Sequence, residues 1–142
     1  MQLTRFTDLG LRIVMRLAVE GPDAQAHTVD LAAQLCASYT HATKVVARLV
    51  ALGIVESARG RHGGISITPT GLHQRVGALV RQLEGSGEVV DCVGTNPCPL
   101  RQRCRLRTAL RSAQESFYMN LDQWTVAEIS RPAAHPKIGR NS

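Results

Sequence analysis

Apolar residues recur every three or four positions near the start of the chain, which predicts an amphipathic helix that begins near Thr4. The apolar stripe of this helix consists of Phe6, Leu9, Ile13 and Leu17. Gly21 and Pro22 are expected to end it, because glycine favours the residue after a helix and proline cannot continue one.

Two shorter helices, separated by a tight turn, are predicted next. The first starts after the N-cap candidate Thr28 and breaks around residues 36–38, and the second runs from Tyr39 to Leu52. Buried positions are predicted at Val29, Leu31 and Leu35 in the first and at Ala42, Val46 and Leu49 in the second. A short helix pair whose second member opens with polar and basic residues is typical of a helix-turn-helix.

An alternating pattern after the third helix predicts a β-hairpin. Its strands span 54–58 and 65–68, and the glycine-rich segment 59–64 supplies the turn. A fourth helix is predicted from Pro69 to Gly85, with an apolar stripe of Leu72, Val76, Leu79, Val80 and Leu83. A helix-turn-helix followed by a hairpin predicts a winged helix-turn-helix, a mainly α fold with a small β-hairpin wing.

The second half of the chain has a different pattern. Residues 91–104 contain two prolines, one glycine and three cysteines without periodicity, which predicts an ordered loop. A long helix then runs to about Asn120, and its apolar stripe, which needs a partner, predicts a dimerisation helix. That stripe consists of Leu106, Ala109, Leu110, Ala113, Phe117 and Leu121. A short final turn, from Trp124 to Ser130, has Asp122 or Thr125 as its cap candidate.

These elements divide the chain into three parts. We expect a DNA-binding domain at 1–87, a cysteine loop with the dimerisation helix at 88–130, and a flexible tail at 131–142. The 142 residues are enough for one hydrophobic core.

Charge then suggests the kind of partner. The chain has 17 Lys and Arg against 11 Asp and Glu, a formal net charge of +6. Between positions 31 and 83 there are six basic residues and a single acid, Glu56. A basic surface of this kind indicates a polyanion such as DNA, although a merely solvated face remains an alternative from charge alone. No apolar run approaches the about 20 residues of a membrane span, and the N-terminus lacks the apolar segment of a signal peptide, so a cytoplasmic protein without a membrane partner is expected.

The predicted DNA contacts lie at the start of the third helix and in the wing. Side chains short or polar enough to reach base edges and phosphates are Ser38, Tyr39, Thr40, His41, Thr43 and Lys44. Arg48, one turn further, is expected to meet the DNA backbone. Arg59, Arg61 and His62 in the glycine-rich turn suit a minor groove or its phosphates.

Three of the four cysteines lie within thirteen residues, with the spacing Cys-x5-Cys-x5-Cys at Cys92, Cys98 and Cys104. The spacing is wider than the Cys-x2-Cys pairs of zinc ribbons, and it favours a larger ligand whose iron atoms can each take a different thiolate. Five arginines between positions 101 and 111 would stabilise thiolates and offset the negative charge of an iron–sulfur cluster. Cys36 could supply a fourth thiol, but its place between two helices favours a packed core cysteine.

Two alternatives to a cluster-controlled regulator are a zinc-stabilised interaction module and an enzyme. In a zinc-stabilised interaction module the cysteines would be structural and the long helix would recruit a protein partner. An enzyme is not expected, because the sequence contains no nucleophile–base pairing, phosphate loop or paired carboxylates in a plausible catalytic setting.

Several motifs resemble the IscR/NsrR family of winged-helix iron–sulfur repressors from Met1 to about Ser130. The motifs are Leu3-Thr-Arg-Phe-Thr-Asp8, Tyr39-Thr-His-Ala-Thr-Lys44, Arg61-His-Gly-Gly64, Val89-Val-Asp-Cys92, Asn96-Pro-Cys-Pro-Leu100, Cys104-Arg-Leu-Arg-Thr-Ala-Leu110, Leu121-Asp122 and Thr125. The resemblance implies a homodimer on a palindromic operator in double-stranded DNA, and a 4Fe-4S cluster with 2Fe-2S as the alternative. It is strongest to the nitric-oxide-sensing members, with iron–sulfur homeostasis or redox sensing as the alternative role.

The resemblance also suggests the fourth cluster ligand. IscR-like members have a histidine ligand three residues after the third cysteine, where this chain has Arg107. Actinobacterial nitric-oxide-sensing members use instead an aspartate of the partner subunit, and Asp8 stands at the matching position. Position alone would explain Asp8 by the helix dipole and by pairing with Arg12 one turn later. The resemblance makes Asp8 a ligand and Arg12 its partner when the cluster is lost.

Overall fold

The computed structural model describes residues 1–132. The first helix, α1 (Arg5–Glu20), begins at the predicted place, and Thr4 caps it, since the Thr4 hydroxyl accepts a hydrogen bond from the Thr7 amide at 3.2 Å. It ends at Gly21, whose φ of +86° favours glycine over residues with a side chain. Predicted and observed boundaries of α1 therefore agree.

The helix-turn-helix consists of α2 (Thr28–Gln34) and α3 (Tyr39–Ala51). The structure corrects two details of the prediction for α2. Its cap position is His27 rather than Thr28, and Val29 is 58% exposed instead of buried. The helix has only two turns, so one apolar face is filled by Leu31 and Ala32, and Val29 lies away from it.

Cys36 was also predicted wrongly as a core residue. It lies in the turn between α2 and α3 with a φ of +53°, the only non-glycine residue with positive φ among residues 1–132, and its side chain is exposed. The chain reverses direction here, and Ser38 then caps α3 by accepting from the His41 amide at 3.2 Å.

The wing is the antiparallel pair β1 (Val55–Ala58) and β2 (Gly64–Ile67), with Val55 opposite Ile67. A backbone bridge adds Ala26 to the far side of β2, because Ala26 and Ile65 exchange N–H···O bonds of 2.9 and 2.8 Å. The base of the hairpin is buried through Val55, Ile65 and Ile67, which fixes the wing beside α2.

The single helix predicted from Pro69 to Gly85 is divided in the structure into α4 (Pro69–His73) and α5 (Val76–Glu84). The break occurs because the backbone around Gln74 and Arg75 pairs with residues 124–126 instead of continuing its own helix. The Val76 amide donates to Trp124 O at 2.9 Å, and the Val126 amide donates to Gln74 O at 3.0 Å. Sequence periodicity could not reveal this pairing, since the partner lies about fifty residues away.

The long helix α6 (Arg105–Leu121) packs on α5, and α7 (Val126–Ile129) closes the structure with a capping box at Thr125. Most of the core lies between α1, α3, α5 and the wing, and a second cluster joins Val76 and Val80 of α5 to Tyr118 of α6. None of the helices within residues 1–132 has the length and apolar character needed to cross a bilayer. Most of the tail predicted at 131–142 lies outside the described residues.

Candidate nucleic-acid interface and cysteine loop

The N-terminal end of α3 is an open, polar surface. Ser38, Tyr39, Thr40, Thr43 and Lys44 are all exposed, and Tyr39 is 58% accessible. The opposite face of α3 is anchored by Ala42, Val45 and Leu49, which are fully buried. α3 can therefore present its outer face to a major groove without disturbing the core.

Two residues predicted as DNA contacts are engaged within the chain. The His41 ring packs edge-on against Phe6, and its Nε2 lies 3.5 Å from the carbonyl oxygen of Arg5. Arg48 donates from Nη2 to the carbonyl oxygen of Gln82 on α5 at 3.1 Å. Both side chains connect α3 to neighbouring helices, so their predicted DNA contacts remain predictions.

The tip of the wing carries Arg59, Arg61 and His62, all exposed. The tip turns at Gly60, where φ is +104°, and the Gly63 amide donates to Gly60 O at 2.9 Å. A side chain at Gly63 would place its Cβ 2.5 Å from the Ala58 carbonyl oxygen. The glycines thus permit a tight turn that holds three cationic or titratable side chains at the tip.

The cysteine loop lies between α5 and α6. Cys92 is buried, Cys98 and Cys104 are half-buried, and all three thiols are free. The Cys98 amide donates to Cys92 O at 3.2 Å, and the Cys104 thiol caps α6 by accepting from the Arg107 amide at 3.4 Å. Asp91 orders the loop further, because its carboxylate accepts from the Gly94 amide at 2.7 Å.

The sequence leaves two kinds of metal site open at the cysteines, a zinc site and an iron–sulfur cluster. Within residues 1–132, no three His, Cys, Asp or Glu side chains are close enough together to hold one metal ion. A tetrahedral zinc would need four such ligands at one point. The loop does supply three thiols, the donor type that iron–sulfur clusters take.

Arg107, at the position of the IscR-like histidine, belongs to an ion-pair network that sequence reasoning missed. Its Nε and Nη2 donate to both carboxylate oxygens of Glu88 at 2.7 and 2.8 Å, and Arg111 donates to the same carboxylate. The hydrogen bonds that Arg107 donates to Glu88 raise the pKa of Arg107 most, and the nearby Cys92 and Cys104 raise it further. The guanidinium of Arg107 is thus held by Glu88, and because it is a donor only it cannot replace a histidine ligand.

A sequence signal for this network did exist. Glu88 and Asp91 are the only acids between Gly85 and Gln114, a segment with five arginines. Two carboxylates before a run of five arginines predict that at least one ion pair forms between them. Which arginine does so depends on the path of the loop, which periodicity does not describe.

We expect Glu88→Gln to destabilise the iron-free protein at pH 7 but not near pH 2. Hydrogen bonds from Arg107, and then from Arg111, lower the pKa of Glu88 from about 4.5 to about 2. Because the folded-state pKa is depressed, the stabilisation is complete above pH 4.5 and is lost as the pH falls toward 2. Urea unfolding of both proteins across this range measures the difference.

A suitable control for that experiment is Glu20→Gln, since Glu20 has one arginine partner, Arg16, at the surface of α1. A single exposed ion pair contributes little, so this variant should change stability less at pH 7. A Glu88→Gln deficit that stayed the same from pH 7 to pH 2 would contradict the assignment.

Asp8 and Arg12 form the predicted ion pair on α1. Arg12 Nε donates to Asp8 Oδ1 at 3.0 Å, and both side chains are more than half exposed, at 56% and 52%. The pair lies beside a groove that also contains Cys36 and His41. Asp8 is thus accessible to another molecule, and it lies on the helix against which the start of α3 packs.

The outer face of α6 has no partner within residues 1–132. Leu106 is 65% exposed, Ala109 and Ala113 are exposed, and Leu110 is half-buried, whereas Tyr118 on the opposite face is buried against α5. An apolar stripe of this length on a helix that is otherwise packed marks an association surface.

Comparison with known proteins gives a consistent picture. The profile of a family described as "Rrf2: Iron-dependent Transcriptional regulator" matches residues 3–132. The chain is 55% identical over 139 residues to a protein of Streptomyces coelicolor named HTH-type transcriptional repressor NsrR, covering 97% of this chain and 94% of that protein. It is 36% identical over 131 residues to the HTH-type transcriptional regulator NsrR of Halalkalibacterium halodurans, covering 91% and 90% of the two chains.

A solved structure supports the fold independently. The chain superposes on IscR of T. potens with a TM-score of 0.69, at 20% identity, over 91% of this chain and 85% of that one. At this identity the similarity concerns the fold alone. It confirms the predicted winged helix-turn-helix with a long C-terminal helix.

Proposed function

The chain belongs to the Rrf2 family of iron-dependent transcriptional regulators, and we propose that it is a nitric-oxide-sensitive repressor controlled by an iron–sulfur cluster. It is a DNA-binding regulator and not an enzyme. The observation that carries the proposal is the cysteine loop, where three free thiols lie beside an arginine that occupies the position of the IscR-like histidine. This donor set leaves one ligand position for a residue outside the loop.

Cys92, Cys98 and Cys104 of one subunit, with Asp8 of the partner subunit, would hold a 4Fe-4S cluster, or a 2Fe-2S cluster in the alternative. When bound, such a cluster supplies iron that reacts with nitric oxide, and a carboxylate is a harder and weaker ligand for it than a thiolate. Within the loop, Arg101, Arg103 and Arg105 form no salt bridge to any described residue. Their positive charges would offset the negative charge of a cluster held by thiolates.

A symmetric homodimer is proposed through the outer face of α6. Pairing the exposed part of the stripe, from Leu106 to Ala113, with its copy would bury apolar surface that the single chain exposes. Two α3 helices related by this symmetry would contact the two halves of a palindromic operator, with half-sites about 34 Å or a multiple of it apart.

The path from Asp8 to the operator runs through α1. Asp8 lies one turn after the cap of α1, and the same end of α1 contacts α3 through the Phe6–His41 ring pair at 6.1 Å and the Arg5 carbonyl oxygen. Further along, α1 approaches α3 so closely that a Cβ at Gly10 would lie 3.5 Å from Val45. A change in the groups that Asp8 binds would therefore move the start of α3, the helix proposed to enter the major groove. Arg12, already within hydrogen-bond distance, would receive the carboxylate released from the partner's site.

Anaerobic purification followed by nitric oxide treatment tests the proposal. The protein should be coloured and contain iron and sulfide, and it should bind a duplex selected from a random library. Nitric oxide should weaken that binding by about tenfold or more, about 1.4 kcal/mol. Visible absorption, metal content and gel-shift titration before and after treatment give the three measurements.

The outcomes separate the alternatives. A colourless protein that contains zinc would refute the cluster and favour the interaction module. A coloured protein whose DNA binding is unaffected by nitric oxide would refute the effector and favour an iron–sulfur homeostasis or redox regulator of the same family.

A further inference from the structure

The last turn of α5 is hydrogen-bonded to the start of α1 through Glu84. The Thr4 amide donates to Glu84 Oε1 at 2.8 Å, and the Thr4 hydroxyl lies 3.0 Å from the same oxygen. Thr4 is also the cap of α1, and its carbonyl oxygen accepts from the Asp8 amide at 3.0 Å. Glu84 therefore fixes the residue from which α1, with Asp8 in its first turn, begins.

The same turn of α5 also contacts the middle of α1 and the recognition helix. Leu83 is buried, and a Cβ at Gly10 of α1 would lie 2.8 Å from Leu83 Cδ1. The Gln82 carbonyl oxygen accepts from Arg48 of α3 at 3.1 Å. Because close-packed elements transmit displacement, a shift of this turn would move α1 and α3 with it.

A three-residue link, 85–87, joins this turn to the cysteine loop. Gly85 has a φ of +82°, and a Cβ at Gly85 or Gly87 would meet nothing within 4 Å, so the link is not packed into the core. It borders an open groove of about 520 Å³ lined by α3, α5 and α6. Next comes Glu88, at the start of the cysteine loop, which two arginines of α6 hold. Glu84 and Glu88 thus anchor the two ends of the link, one on the DNA-binding half and the other on the loop.

We propose that Glu84 is the positioning residue through which the cysteine loop of one subunit sets the start of α1 in that same subunit. The inference rests on the proposed function, and it adds a route within one chain to the route through Asp8 of the partner subunit. The four residue steps from Glu84 to Glu88 span at most about 14 Å. A displacement of the loop beyond the slack of the link must therefore pull on Glu84, and through Thr4 on α1.

Glu84→Ala should reduce the effect of nitric oxide on operator binding while leaving the cluster in place, because it removes the acceptor for Thr4 but none of the proposed ligands. The test uses the full-length, cluster-loaded protein and a duplex selected on it from a random library. Gel-shift titration before and after nitric oxide should show the change in affinity fall from about tenfold in wild type to about threefold or less. Iron content and visible absorption should stay at the wild-type level. Glu84→Gln keeps an oxygen that can accept from Thr4, so it should restore most of the response.

A second variant lengthens the link instead of cutting it. Insertion of two glycines between Ser86 and Gly87 leaves the bond from Thr4 to Glu84 and the arginine bonds of Glu88 intact, but it gives the link slack. This protein should also respond to nitric oxide by about threefold or less. Since the start of α1 keeps all its contacts, the reduced response could not be attributed to a destabilised helix, and the insertion decides the matter if Glu84→Ala does not fold.

Glu20→Ala is the matched control, since it makes the same change of side chain at an ion pair within α1, away from the end of α5. The inference would be overturned by a Glu84→Ala or insertion protein that keeps its iron and responds to nitric oxide as fully as Glu20→Ala. Loss of iron from Glu84→Ala would also overturn it, because Glu84 would then belong to the cluster site. A cluster-loaded wild-type protein whose DNA binding ignores nitric oxide would refute the proposed function itself, before any variant is compared.

Discussion

Cys98→Ala is expected to yield a protein without an iron–sulfur cluster and without a response to nitric oxide. The substitution removes one of the three thiols of the loop but preserves the backbone bond from its amide to Cys92 O, at 3.2 Å. The loop should therefore keep its path while losing a donor that the loop cannot replace, since the fourth cysteine, Cys36, lies in the turn between α2 and α3. Iron and sulfide analysis after anaerobic purification measures the loss.

Cys36→Ala is the matched control for that variant. Cys36 has a φ of +53°, and alanine carries the same Cβ, so the substitution adds no backbone strain beyond what the native residue already has. We expect full iron content from this protein. Iron loss in Cys36→Ala, or full iron content in Cys98→Ala, would refute the proposed ligand set.

The Cys98→Ala variant can also test whether Asp8 acts across the subunit interface. A Cys98→Ala chain still supplies Asp8, and an Asp8→Ala chain still supplies three thiols. In a mixed dimer, one site is complete if the carboxylate comes from the partner subunit, whereas no site is complete if it comes from the same chain. Mixed dimers isolated with two affinity tags should therefore respond to nitric oxide when neither parent dimer does.

Local patterns predicted the elements that surround the DNA surface because each of them buries a periodic face. The start of α1 near Thr4, the inward positions of α3 and the two strands of the wing all follow from spacing within one element. Val29 and Cys36 were misjudged for the opposite reason: in a two-turn helix and its following turn, apolar character does not determine which side faces the core. Burial there depends on how α2 lies between α1 and the wing.

Long-range contacts account for the remaining differences. The break between α4 and α5 exists because Gln74 and Arg75 pair with residues near 125, and the environment of the cysteine loop is set by Glu88 meeting Arg107 and Arg111. The pattern predicted an ordered loop with three thiols and a cationic helix after it. It could not reveal that the Glu88 carboxylate would bind the guanidinium of Arg107, which stands where IscR-like members have a histidine ligand.

Gly77→Ala is expected to destabilise the protein by about 3 kcal/mol or more, a large part of the stability of a typical domain. Gly77 lies in the first turn of α5, where the backbones of α5 and α6 meet: a Cβ there would lie 2.0 Å from the Tyr118 carbonyl oxygen and 2.6 Å from Asp122 Oδ1. Asp122 Oδ1 also accepts from the Ala78 amide at 2.7 Å, so α6 cannot retreat without breaking this bond. Urea unfolding measures the loss.

Gly87→Ala provides the comparison, because a Cβ at Gly87 would meet nothing within 4 Å. It should unfold at nearly the wild-type urea concentration, whereas equal midpoints for Gly77→Ala and wild type would contradict the close approach of the two helices. The contact also has a functional consequence, since Cys104 caps α6 and α5 packs against α1. Where Gly77→Ala still folds, displacement of α6 should separate the cysteine loop from the DNA-binding half, and nitric oxide should then change operator binding less than it does in wild type.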